Sequence, residues 1–203
     1  MPLEFFLTSL VVILLPGTGV IYTLAVGLAQ GFRSSIAAAF GCTLGIVPHI
    51  TASIVGLAAL LHASVTAFHL VKYLGVIYLF YMAWSALQDK GVLEVPEESR
   101  ASPAGRIIVR GILLNILNPK LSLFFLAFLP QFIPAGTTGP TARMLVLATV
   151  FMIMTFVVFI GYGACASAAR HYVISRPLVI TWLRRSFAGA FAMLGIKLAL
   201  SER

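Results

Sequence analysis

The stretch L-N-I-L-N-P-K-L-S-L-F-F-L, residues 114–126, decides how this chain is read. It runs like an apolar helix, yet Asn118, Pro119 and Lys120 stand side by side in its middle. Water-soluble cores seldom look like this, and a simple membrane anchor has no use for such a break. Proline lacks an N–H and clashes with the carbonyl one turn earlier, so the helix must bend or stop here. A lysine at membrane depth is costly unless it faces water, a partner or a ligand.

The rest of the chain sets that stretch in a bilayer. Of its 203 residues, 60% are hydrophobic and 10% are charged, with a mean hydropathy of +1.03. A soluble domain carries about 25% charged residues. Six apolar segments are long enough to cross the hydrocarbon: 3–27, 34–61, 68–87, 107–132, 142–166 and 181–200. The expected fold is therefore an all-α membrane protein with six transmembrane helices in a single domain, 1–203. The N-terminal segment M-P-L-E-F-F-L carries Glu4 and lacks a basic n-region, so it is read as a retained first helix.

The net charge of +8 belongs to residues that flank the apolar runs. It points to topology and anionic lipid, not to nucleic acid. With the N-terminus outside, the inward side carries Arg33, Lys90, Arg100, Arg106, Arg110, Arg170, Arg176, Arg184 and Arg185. The outward side receives Lys72, Arg143, Lys197 and Arg203. This asymmetry places both termini on the outer face. The longest polar stretch, 88–106, becomes a cytoplasmic loop holding Asp89, Glu94, Glu97 and Glu98.

That loop divides the spans into halves, 1–87 and 107–203. L-V-K-Y-L-G-V-I-Y-L-F-Y-M-A-W-S-A-L (70–87) and L-R-R-S-F-A-G-A-F-A-M-L-G-I-K-L-A-L (183–200) share basic openings and a closing A-L. The leading helix of each half carries a breaker, Pro16-Gly17 in the first and Asn118-Pro119 in the second. Because three is odd, a second set of three helices enters from the opposite side. The expected architecture is two inverted three-helix repeats with helices 1 and 4 broken, a plan common among secondary transporters.

The breaks are the candidate binding or gating residues: Pro16, Gly17, Thr18 and Gly19 in the first, Asn118, Pro119 and Lys120 in the second. A half-helix start holds a carboxylate through its N–H groups, and a half-helix end holds an ammonium. Lys120 has two readings, a carboxylate contact or gate, and a snorkelling side chain beside a kink capped by Asn118. In F-G-C-T-L-G-I-V-P-H-I-T-A-S (40–53), Gly41 and Gly45 form a close-packing face. His49 lies near mid-span, as a proton carrier or as a packing histidine with one partner. Cys42 and Cys165 read as small packing residues, and no metal, redox or P-loop motif is present in the sequence. No cofactor and no enzymatic activity are expected.

These motifs together resemble the LysE/RhtB family of amino-acid exporters. The resemblance rests on L-L-P-G-T-G (14–19), the G-x-x-x-G of Gly41 and Gly45, and L-V-K-Y-L-G-V-I-Y-L-F-Y-M-A-W-S-A-L (70–87). Its most specific part is G-I-L-L-N-I-L-N-P-K-L-S-L-F-F-L-A-F-L-P-Q-F (111–132), and A-G-A-F-A-M-L-G-I-K-L-A-L (188–200) adds the final helix. It implies amino-acid export driven by the proton or ion gradient, a bacterial inner membrane and a homodimer. Thr18 stands where the family commonly has the second proline of P-G-P, and Ile46 where several members have an acidic residue. The second departure turns the expectation toward neutral solutes, with His49 as the proton carrier. A passive small-solute or ion channel is the alternative reading.

Overall fold

In a computed structural model, the described residues are 3–62, 102–134 and 137–168, with scattered helical positions among 73–84 and 185–200. Their regular structure is entirely helical: α1 (Leu3–Leu14), α2 (Thr18–Gln30), α3 (Phe32–Leu44), α4 (Val47–His62), α5 (Ala104–Ile116), α6 (Pro119–Leu123) and α7 (Pro140–Ala168). A π-turn at Phe124–Phe128 and a 3-10 turn at Leu129–Phe132 prolong α6.

Helices α1 and α2 are bent by 55° at 15–17. The α5–α6 pair is bent by 51° at 117–118. Both expected breaks are thus real breaks, of nearly equal angle. Counting each bent pair as one span, with 32–56 and Pro140–Ala168, the described residues hold up to four candidate spans. Their limits run slightly past the expected ones. The first reaches Gln30 and the fourth begins at Ala104. Both extensions are the polar or small-residue ends of helices whose apolar part alone the hydropathy pattern detects. Most of the expected third and sixth spans, the polar residues up to 101, and the paired repeat stretches lie outside the described residues.

A single residue, Gly31, joins α2 to α3 with φ of 83°, the left-handed region that glycine tolerates. It ends α2 by donating its N–H to the Gly27 carbonyl. Helix α3 then packs against α2, α5 and α7. Its contact with α5 is backbone on backbone. A methyl group at Gly41 would run into the Ile108 backbone, and one at Gly45 would sit 2.7 Å from Asn115 Cβ. Gly111 answers from α5, where a Cβ would meet Cys42 N at 3.0 Å. Small residues let membrane helices approach this closely, and dispersion between the backbones then holds them.

Beside the α6 turns lies a phenylalanine cluster. Phe124 stacks on Phe151 of α7 at 4.4 Å between ring centroids, and Phe125 meets the same ring edge-on at 5.3 Å. All three are buried. Leu3, Leu7, Leu117, Ile153 and Val157 instead face outward, as side chains in contact with lipid do. Helix α7 is apolar all round, the pattern of a membrane span.

Candidate functional site

A proline frees the carbonyl four residues before it, and in lipid that carbonyl must find another donor. For Pro16 this is Val12. Lys120 Nζ donates to the Val12 carbonyl at 3.0 Å and to the Leu15 carbonyl at 2.7 Å. For Pro119 it is Asn115. His49 Nε2 lies 2.9 Å from the Asn115 carbonyl, which also accepts from the Asn118 N–H at 3.1 Å. In the π-turn, where bonds run five residues back, Pro130 leaves the Phe125 carbonyl without an amide. Ser53 Oγ, one turn after His49 on α4, donates to it. Each of these three prolines therefore has its missing donor replaced by a side chain from another helix.

Lys120 does not snorkel. It is 5% exposed, and its stem runs inward to the end of α1. Asn118 does cap the second break: its Oδ1 accepts from the Lys120 N–H at 3.1 Å. Pro119 occupies the first helical position, where no amide is needed. The capping half of the expectation holds at Asn118, and the snorkelling half does not: Lys120 caps the end of α1 instead.

The first break is made differently. Gly17 is the N-cap of α2, with φ of −124°, and no side chain caps that helix. A Cβ on Gly17 would lie 3.1 Å from both Cε and Nζ of Lys120. Thr18 reaches across with its hydroxyl to the Leu114 carbonyl at 3.0 Å. A Cβ on Gly19 would sit 2.7 Å from Asn115 Oδ1 and 3.0 Å from Phe159. The two glycines leave room for the side chains that the second break presses against this backbone. Tyr162 of α7 adds a hydroxyl donor to the Leu14 carbonyl at 2.9 Å.

His49 has two partners, where a packing histidine was expected to have one. A carbonyl only accepts, so Nε2 carries the hydrogen toward Asn115. Nδ1 then accepts from the Ser122 hydroxyl at 3.1 Å. The neutral Nε2–H tautomer satisfies both contacts.

Asn115 is the residue that sequence reasoning overlooks. Its Nδ2 donates to the Cys42 carbonyl at 2.6 Å, and its Oδ1 accepts from Asn118 Nδ2 at 3.1 Å. It is buried and joins α3 to both breaks. The signal lay in its place four residues before Pro119 and three before Asn118. All the expected residues of the two breaks, with His49, thus meet in one region. Gly41 and Gly45 sit on the α3–α5 seam beneath it. Thr43, buried, and Thr51, exposed, bond back to the Ala39 and Val47 carbonyls of their own helices. Among the described residues no group of His, Cys, Asp or Glu is arranged to hold a metal ion.

Between the breaks is a cavity of about 10 Å³, walled by Val12, Gly19, Asn115, Lys120, Thr155 and Phe159. That is room for about one water. A second cavity, about 70 Å³, opens between α2 and α5 beside Tyr22, Gln30, Arg106 and Arg110.

Comparison with known proteins places this arrangement. The chain is 30% identical to a homoserine/homoserine lactone efflux protein of Salmonella typhimurium, over 96% of this chain and 94% of that one. It is 31% identical to a leucine efflux protein of Enterobacter, over 74% of each chain. A membrane protein of Vibrio cholerae with no assigned role is 30% identical over 98% of this chain and 97% of its own. No solved structure matches. The family model for LysE type translocators matches residues 10–202, so the chain belongs to the LysE type translocator family.

Proposed function

We propose that this protein is a secondary transporter of the bacterial inner membrane that exports amino acids or close derivatives, driven by the proton gradient. The observation that carries this reading is the meeting of two broken apolar helices, with a buried lysine, asparagine side chains and helix-end carbonyls between them. The efflux relatives support the same direction and solute class. Six helices form two inverted halves joined by a cytoplasmic loop, expected at 88–106 and ending where α5 begins at Ala104, with both termini periplasmic and two copies forming a homodimer. The solute sits between the breaks, against Pro16, Gly17, Thr18 and Gly19 on one side and Asn118, Pro119 and Lys120 on the other. Alternating access rocks the halves about that point.

His49 is the proton carrier in this reading. When its ring takes a proton, Nδ1 changes from acceptor to donor, and the Ser122 hydroxyl turns round to accept. The histidine then changes charge without losing a hydrogen bond. Proteoliposomes loaded with a panel of labelled amino acids, with and without a pH gradient, test the proposal. Accumulation of one class against its gradient supports export. Leak that only follows the solute gradient refutes coupling. In His49→Gln protein, accumulation driven by the pH gradient is lost while downhill exchange continues. Unchanged pH dependence removes His49 from the proton path.

A further inference from the structure

We propose that the ammonium of Lys120 is a built-in stand-in for the ammonium of the solute, and that loading exchanges one for the other. The inference rests on the amino-acid export reading and identifies the solute as a zwitterion. The carbonyls of Val12 and Leu15 are the last-turn acceptors of α1, its negative pole. A half-helix end of this kind suits the amino group of a solute, but Lys120 Nζ already holds both carbonyls. The only acidic residue among the described residues is Glu4, exposed in the first turn of α1. Among those residues the lysine charge therefore meets carbonyl dipoles and no carboxylate.

The cavity beside it admits about one water. An amino acid enters only if a side chain leaves, and the flexible stem of Lys120 is the group that is both long and polar enough to go. A zwitterion makes this exchange balanced. Its ammonium takes the Val12 and Leu15 carbonyls, and its carboxylate pairs with the displaced Lys120 ammonium. The start of α2, which no side chain caps, lies beside Lys120 at Gly17 and favours the same negative end. The net charge of the site does not change on loading. A solute with an amino group alone brings two cations together. One with a carboxylate alone leaves two buried carbonyls without donors.

Competition in proteoliposomes tests this. Flux of a labelled neutral amino acid through the wild-type protein is measured against the unlabelled parent, its N-acetyl derivative and its methyl ester. The expected result is that each derivative competes at least about tenfold more weakly than the parent, the size of one charged hydrogen bond lost. Either derivative competing more closely than that overturns the exchange. A second arm uses Lys120→Met. With the carbonyls vacant, the methyl ester now competes as well as the parent, whereas Lys120→Arg keeps the discrimination. A lysine that only braces the fold would slow all solutes alike and leave the ratio at its wild-type value. If Lys120→Met fails to fold, the wild-type competition still decides. Wild-type protein that moves no amino acid refutes export and the exchange with it. Movement without discrimination refutes the exchange alone.

Discussion

At Pro119 the bent helix is capped by its own Asn118, and the freed Asn115 carbonyl is held by a ring and a backbone amide. At Pro16 the helix after the bend has a bare glycine for a cap, and the freed Val12 carbonyl depends on a lysine 108 residues away in the chain. The bend angles are 51° and 55°. The same backbone problem thus has a neutral answer at the second break, shared between a nearby amide and a distant ring, and a charged, wholly long-range one at the first. Short polar side chains with few rotamers hold a geometry. A long flexible stem holds it only until something better arrives. If loading exchanges Lys120 for the solute, the second break is the frame and the first is the part that opens.

The largest effect is expected where the frame is broken. Asn115→Leu removes a donor from the Cys42 carbonyl and an acceptor from Asn118 Nδ2, both buried. Each group left unsatisfied costs about 1–3 kcal/mol, so the variant loses roughly 2–5 kcal/mol. Thermal unfolding of purified protein in detergent reads this as a large drop in midpoint. A drop no larger than that of Asn118→Ala would mean that the second break is not the frame.

The unequal visibility of these residues in the sequence has a physical cause. Prolines and glycines inside apolar runs are local events, and both breaks were legible at the right residues. The all-helical membrane class was legible for the same reason, since hydropathy needs no tertiary information. The partners of the freed carbonyls were not. Lys120 and Leu15 are separated by 105 residues, and His49 and Asn115 by 66. Nothing local distinguishes a lysine that caps a distant helix from one that snorkels. Asn115 was hidden because one asparagine on a helix looks ordinary until the carbonyl under Pro119 is traced to it. Ser53 is one more small polar residue on an apolar helix, and its acceptor, Phe125, emerges only from the π-turn.

A pair of alanine variants sharpens the contrast between the breaks. Gly17→Ala is tolerated by the backbone at φ of −124°. Its methyl group would lie 3.1 Å from the end of the Lys120 stem, which is able to shift. Stability changes by less than about 1 kcal/mol, while flux falls because the methyl obstructs the moving lysine. Asn118→Ala loses a helix cap and about 1 kcal/mol of stability. Unfolding midpoints and vesicle flux measured on the same preparations separate the two outcomes. Equal flux loss at equal stability loss would erase the distinction between gate and frame.

The smallest effect concerns Ser9. It lies on α1 one turn before Val12, fully buried, and its Oγ is the one buried side-chain polar atom among the described residues without a partner. The polar groups gathered at the second break are all bonded, so the unsatisfied hydroxyl lies on the helix of the first break. Ser9→Ala sacrifices no hydrogen bond and relieves the hydroxyl of its desolvation, so stability stays level or rises by up to about 1 kcal/mol. Ser53→Ala strips the Phe125 carbonyl of its donor and lowers stability by about 1–2 kcal/mol. Two serines of equal size, one on α1 and one on α4, therefore move the unfolding midpoint differently, the first leaving it level or raising it and the second lowering it. If Ser9→Ala also leaves flux intact, the hydroxyl is a passive defect of the mobile helix. If flux falls with stability unchanged, Ser9 is met by solute or water once α1 has moved, and the opening of the first break extends a full turn beyond the Lys120 contact.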